Sequence, residues 1–137
     1  METSIPSLLW QSYIAPLYYL EVSLPLIAMS LLSIGIGRRG LSRLSWRSWC
    51  VLLSAYLVPF LIASWGALMQ YSGPVQGPVW PAFVILGLVL SLVFFCLLSI
   101  WRLAGSRLVT IGVLLPSVWF SLLTAFTACM AVTNNWI

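Results

Sequence analysis

Gly37-Arg38-Arg39-Gly40-Leu41-Ser42-Arg43-Leu44-Ser45-Trp46-Arg47 decides the fold, together with its shorter counterpart Arg102-Leu103-Ala104-Gly105-Ser106-Arg107. These two stretches hold all six basic residues of the chain, and every one is an arginine. Long apolar runs flank both. An excess of Arg and Lys marks the loops kept on the cytoplasmic side during membrane insertion, so both stretches are expected inside. Arg38, Arg39, Arg43, Arg47, Arg102 and Arg107 are read as topology determinants.

Outward from these loops, four windows reach the roughly 20 apolar residues that a membrane span needs. They cover about 17–36, 49–69, 81–101 and 108–132. The expected fold class is therefore all-α: a polytopic membrane protein with four transmembrane helices in one bundle, both termini outside and the Arg-rich loops inside. A single domain covers 1–137, since no polar stretch is long enough for a second folded unit. Residues 7–15, with Trp10 and Tyr13, are read as an interfacial segment. Joining them to the first span would give about 29 residues, too long for a core of roughly 30 Å without strong tilt. Pro16 would open the first span, where its missing N–H costs little.

The external connection between spans two and three, Tyr71 to Pro81, carries three prolines and two glycines and cannot continue a helix. Trp10, Tyr18, Tyr19, Tyr71, Trp80 and Trp136 fall at the outer boundary of this register, and Trp46, Trp49 and Trp101 at the inner one. Such aromatic belts mark membrane interfaces. Leu31-Leu32-Ser33-Ile34 and Leu97-Leu98-Ser99-Ile100 close spans one and three, and Pro59 and Pro116 lie near the middle of spans two and four. This echo suggests two parallel hairpin repeats.

Composition agrees. With 62% hydrophobic and 6% charged residues and a mean hydropathy of +1.09, the chain lies far from soluble proteins, where roughly a quarter of residues are charged. The net charge of +4 comes from the loop arginines and forms no basic face, so nucleic acid is not an expected partner. Met1-Glu2-Thr3-Ser4 lacks the positive start of a secretory signal and is expected to stay on the mature chain.

The residues absent from the chain exclude most chemistry. There is no His, Lys or Asp, hence no His-ligated haem or metal site, lysine Schiff base, Ser-His-Asp triad or aspartyl phosphate. Cys50, Cys96 and Cys129 form no Cys-x-x-Cys pair and are read as buried small hydrophobes. No cofactor or metal is expected. Pro25, Pro59 and Pro116 each free a backbone carbonyl inside a span, and hydroxyls such as Ser54, Ser117, Ser121 and Thr124 are candidates to satisfy them. Ala63 and Ala67, four apart, permit close helix approach.

Glu21 is the one acid inside a span, roughly 6 Å past its start, with no cation in the outer half of the chain. Three outcomes are open: protonation with help from Tyr18, Tyr19 or Ser23; an aqueous cleft; or a cation on another protein. A fourth is simple reach to the headgroups.

Leu20-Glu21-Val22 is locally similar to the acidic site of the small multidrug-resistance exporters, over about three residues. Those exporters resemble antiparallel dimers with weak charge bias, which the complete bias here contradicts. Gly77-Pro78-Val79-Trp80 looks like a fragment of the tryptophan-rich sensory protein family, a five-span family whose other motifs find no match here. Neither family is assigned. The expected role is that of a small non-catalytic membrane subunit or accessory protein packing within a larger complex. The alternative is a homo-oligomeric transporter or channel using Glu21 as its ion- or proton-coupling residue. Expected partners are membrane lipids and other membrane subunits or the chain itself, and the expected location is the inner (cytoplasmic) membrane of a bacterium.

Overall fold

The computed structural model describes residues 7, 10, 19–70 and 77–133. They form α1 (Leu20–Ile36), α2 (Arg38–Leu41), α3 (Trp46–Ser54), α4 (Leu57–Leu68), α5 (Trp80–Arg102) and α6 (Arg107–Thr133), with a 3₁₀ turn at Ala104–Ser106. No strand occurs among the described residues. Of the expected interfacial segment 7–15, only Ser7 and Trp10 are described, both helical. Pro16, Tyr18, Tyr71 and Trp136 lie outside the described residues.

Helix is the form in which an apolar chain pairs all its backbone groups internally, as hydrocarbon requires. Local signals set the ends. Ser45 caps α3, its hydroxyl accepting from the Ser48 N–H at 3.3 Å, and Pro81 stands in the first turn of α5, where it lacks only an orphan donor. Three helices are long and apolar enough to cross a membrane: Trp46–Leu68, Trp80–Arg102 and Ala104–Thr133. The first combines α3 and α4, which the expected span 49–69 joins without interruption. In the structure a two-residue turn at Ala55–Tyr56 separates them, because Pro59 removes the N–H that would bond the Ala55 carbonyl. The expected first span is described only from residue 19 onward. Its helical part, α1, has 17 residues, about 25 Å at 1.5 Å per residue and short of a full span by itself.

Helix α6 is the hub, and α1, α4 and α5 all pack along it. Contacts set the directions. Ser23 and Ser30 of α1 meet Trp119 and Gly112 of α6, so the two helices run antiparallel. Gly66 of α4 meets Ala128, and Ala55 meets Ser117, so α4 runs parallel to α6. At the far end the Trp65 indole N–H donates to the Pro81 carbonyl at 3.2 Å, and the Trp65 and Trp80 rings meet edge-on at 6.1 Å, closing α4 against α5.

Small residues explain the hub. The buried side of α6 includes Gly112, Ser117, Ser121, Thr124, Ala125, Ala128 and Ala131, which let neighbouring backbones come close where lipid gives no hydrophobic reason to associate. A Cβ on Gly66 would stand 2.6 Å from the Ala128 Cβ, and one on Gly112 would stand 2.7 Å from the Ser30 carbonyl oxygen. Larger apolar groups fill the remaining gaps in two clusters. Leu52, Leu92, Cys96 and Leu114 form one, and Ile62, Ile85, Ala128 and Val132 the other.

Pro116 within α6 and Pro59 in the first turn of α4 are each answered by a serine on another helix. Pro116 frees the Gly112 carbonyl, and the Ser30 hydroxyl donates to it; Pro59 frees the Ala55 carbonyl, and the Ser117 hydroxyl donates to it at 2.9 Å. Ser117 was among the residues expected to serve in this way; Ser30 was not. Tyr56 adds a bond from its hydroxyl to the Val113 carbonyl at 2.6 Å. Thr110 instead donates back to the Ser106 carbonyl of the 3₁₀ turn and Thr124 to the Phe120 carbonyl of its own helix, and the buried Ser121 hydroxyl has no partner among the described residues.

Two expectations change. Cys96 is buried and Cys129 half-buried, but Cys50 is exposed: two residues, or about 200° of helix turn, separate it from the buried Leu52, so it faces away from the core. The echo between the two halves does not extend to packing. Helix α5 lies along α6, whereas no comparable packing joins α1 to α4.

Candidate functional site

The two arginine stretches, far apart in sequence, meet at one end of the bundle. Helix α2 packs against the 3₁₀ turn, so closely that a Cβ on Gly40 would stand 3.1 Å from the Cα of Ser106. The Arg43 side chain crosses the second stretch, its Cδ and Nη1 3.7 and 3.5 Å from where a Cβ on Gly105 would be. Trp46 and Trp101, expected at the same boundary as the arginines, are exposed at this end.

Between the first turn of α3 and the last turns of α5 a cavity of about 340 Å³ opens, walled by Arg47 and Ser48 on one side and Ser99 and Arg102 on the other. Val51, Phe95, Leu98 and Leu103 complete its lining. A second cavity of about 250 Å³, also lined by Phe95, lies between α3–α4 and α5 and reaches Val58 and Leu88. Its hydroxyls are occupied: Ser54 donates to the Val51 carbonyl at 2.7 Å and Ser91 to the Gly87 carbonyl at 2.8 Å. Arg47 and Arg102 are thus at the first cavity, and the second has no charged residue in its lining. Arg38, Arg39 and Arg107 are exposed and line neither cavity.

Glu21, the residue singled out by sequence, is at the opposite end. It sits in the first turn of α1, where the positive end of the helix dipole favours a carboxylate, and it is exposed. Ser23, one of its expected helpers, faces α6 and accepts the Trp119 indole N–H at 3.0 Å. The 200° between positions 21 and 23 turns Glu21 away from the hub. Tyr19 is exposed beside it. It is the only carboxylate side chain among the described residues, so it shares its end of the bundle with no arginine, and the arginines share theirs with no acid. Among the described residues no group of three or more potential metal ligands occurs.

The groove brings together Arg47 and Arg102 but also Ser48, Phe95 and Ser99, which the sequence pattern did not single out as site residues. Ser99 carried a weak signal as part of the repeated Leu-Leu-Ser-Ile run. Compared with family models, curated proteins and solved structures, this chain matches none.

Proposed function

We propose that this chain is a small, non-catalytic integral membrane subunit that packs against other membrane chains in a larger assembly. In this reading it crosses the inner membrane of a bacterium four times, with the arginine end inside and both termini outside.

The observation that carries the reading is the placement of Glu21 on the outward side of a peripheral helix. Helix α1 lies against α6 but not along α4 or α5, and Leu24, Ile27, Leu31 and Leu32 beyond Glu21 are all exposed. An acid in that position is best matched by a cation on a neighbouring chain.

Glu21→Gln tests it. Losing one member of an ion pair buried in the assembled complex costs about 3–5 kcal/mol, so co-purifying subunits recovered with the wild type in mild detergent should be lost with the variant. A homo-oligomer that survives the substitution but loses pH-dependent flux would replace this reading with the transporter. Unchanged partners and unchanged flux would leave Glu21 as a boundary residue.

A further inference from the structure

The groove between α3 and α5 has the build of a lipid site, and we propose that it binds one anionic phospholipid. The phosphate lies between Arg47 and Arg102, and one acyl chain runs past Phe95 toward Val58 and Leu88.

Charge complementarity selects the headgroup. Arg47 of α3 and Arg102 of α5 both line one cavity, and guanidinium forks match phosphate oxygens in shape and charge. The cavity also borders the first turn of α3, whose dipole adds partial positive charge. No acid among the described residues competes at this end. Basic pockets between membrane helices near the bilayer surface are where anionic headgroups bind.

Shape selects the rest of the molecule. From Arg102 to Leu88 is fourteen positions along α5, or about 21 Å, more than the roughly 15 Å depth of one hydrocarbon leaflet. The second cavity has no charged residue, and its serines, Ser54 and Ser91, are already bonded to their own helices. A free phosphate would use the mouth of the groove and leave that length empty.

The test uses the purified full chain in mild detergent, with native mass spectrometry counting retained lipid. With phosphatidylglycerol and phosphatidylcholine of identical chains, the wild type should hold one phosphatidylglycerol at least tenfold more strongly. The double substitution Arg47→Gln with Arg102→Gln should remove that preference. Arg38→Gln with Arg39→Gln, which takes away equal charge outside the groove, should keep it. Leu98→Trp, which fills the cavity and leaves both arginines, should also abolish retention. Helicity and elution volume identify any variant that has unfolded, and the remaining variants still decide. Equal loss in both arginine pairs would reduce the effect to diffuse charge and overturn the proposal. So would equal retention of phosphatidylcholine, unaffected binding in Leu98→Trp, or displacement of the lipid by millimolar inorganic phosphate.

Discussion

Ser30→Ala is expected to destabilise the bundle only while Pro116 is present. Ser30 is 5% exposed, and its hydroxyl donates to the Gly112 carbonyl, the group that Pro116 deprives of its helix donor. Alanine at position 30 leaves that buried carbonyl unpaired, which costs about 1–3 kcal/mol in general. Hydrogen bonds between membrane helices average about 0.6 and reach about 1.7 kcal/mol, so for a carbonyl left with no other donor a loss in the upper part of that range, about 1–1.7 kcal/mol, is expected. In a Pro116→Ala background residue 116 regains an N–H that can bond Gly112 itself, and the same Ser30→Ala change should then cost less than about 0.5 kcal/mol. The void left by the missing oxygen is common to both backgrounds and cancels in the double-mutant cycle. Reversible unfolding in mixed micelles, or steric trapping in bilayers, measures all four corners. Equal penalties in the two backgrounds would refute the claim that Ser30 replaces the donor removed by proline.

The parallel pair, Ser117→Ala with and without Pro59→Ala, should show the same sign of coupling by the same unfolding assay. Its size should be smaller, because the Val58 N–H also reaches the Ala55 carbonyl, at 3.3 Å. Gly66→Ala should destabilise by about 1–3 kcal/mol in that assay, since its Cβ would stand 2.6 Å from the Ala128 Cβ and the helices must part. Gly87→Ala, with nothing within 4 Å of the added atom, should be neutral or stabilising by up to about 1 kcal/mol. With Cys50, Cys96 and Cys129 replaced, a cysteine at Ser42 should resist an impermeant thiol reagent applied to intact cells and one at Ser72 should react. The opposite labelling would reverse the proposed orientation.

The parts legible in the sequence were those written in local composition. The gathering of arginines in two short runs, the apolar lengths between them and the helix-breaking power of proline act over a few residues, and the helices over 80–102 and 107–133 follow from them almost to the residue. The interruption before Pro59 was legible as a freed carbonyl, though not as a full break in the helix. What could not be read was which helix meets which. Ser23 and Ser30 of α1, seven apart, share a helix face opposite Glu21, but nothing local says that this face meets α6. The pairing of Ser30 with Gly112 joins positions 82 apart and leaves no trace in either local pattern. The groove was hidden for the same reason. Arg47 and Arg102 were read as independent orientation signals, and only the cavity that opens between α3 and α5 makes them two walls of one site.

Because the hub is the last described helix, the ribosome delivers it after everything that depends on it. Ser30 is made 82 residues before Gly112, an interval of about 4–16 s at 5–20 residues per second. During that time α1 waits in lipid without the Gly112 carbonyl to which Ser30 will donate, and α4 without the Ser117 donor that α6 will bring to Ala55. Their insertion must rest on hydropathy and arginine bias alone, and their docking belongs to a later stage. A ribosome stalled before Arg107 would leave the Ala55 carbonyl, freed by Pro59, without its Ser117 donor, marking the fragment for quality-control proteases while the complete chain escapes them.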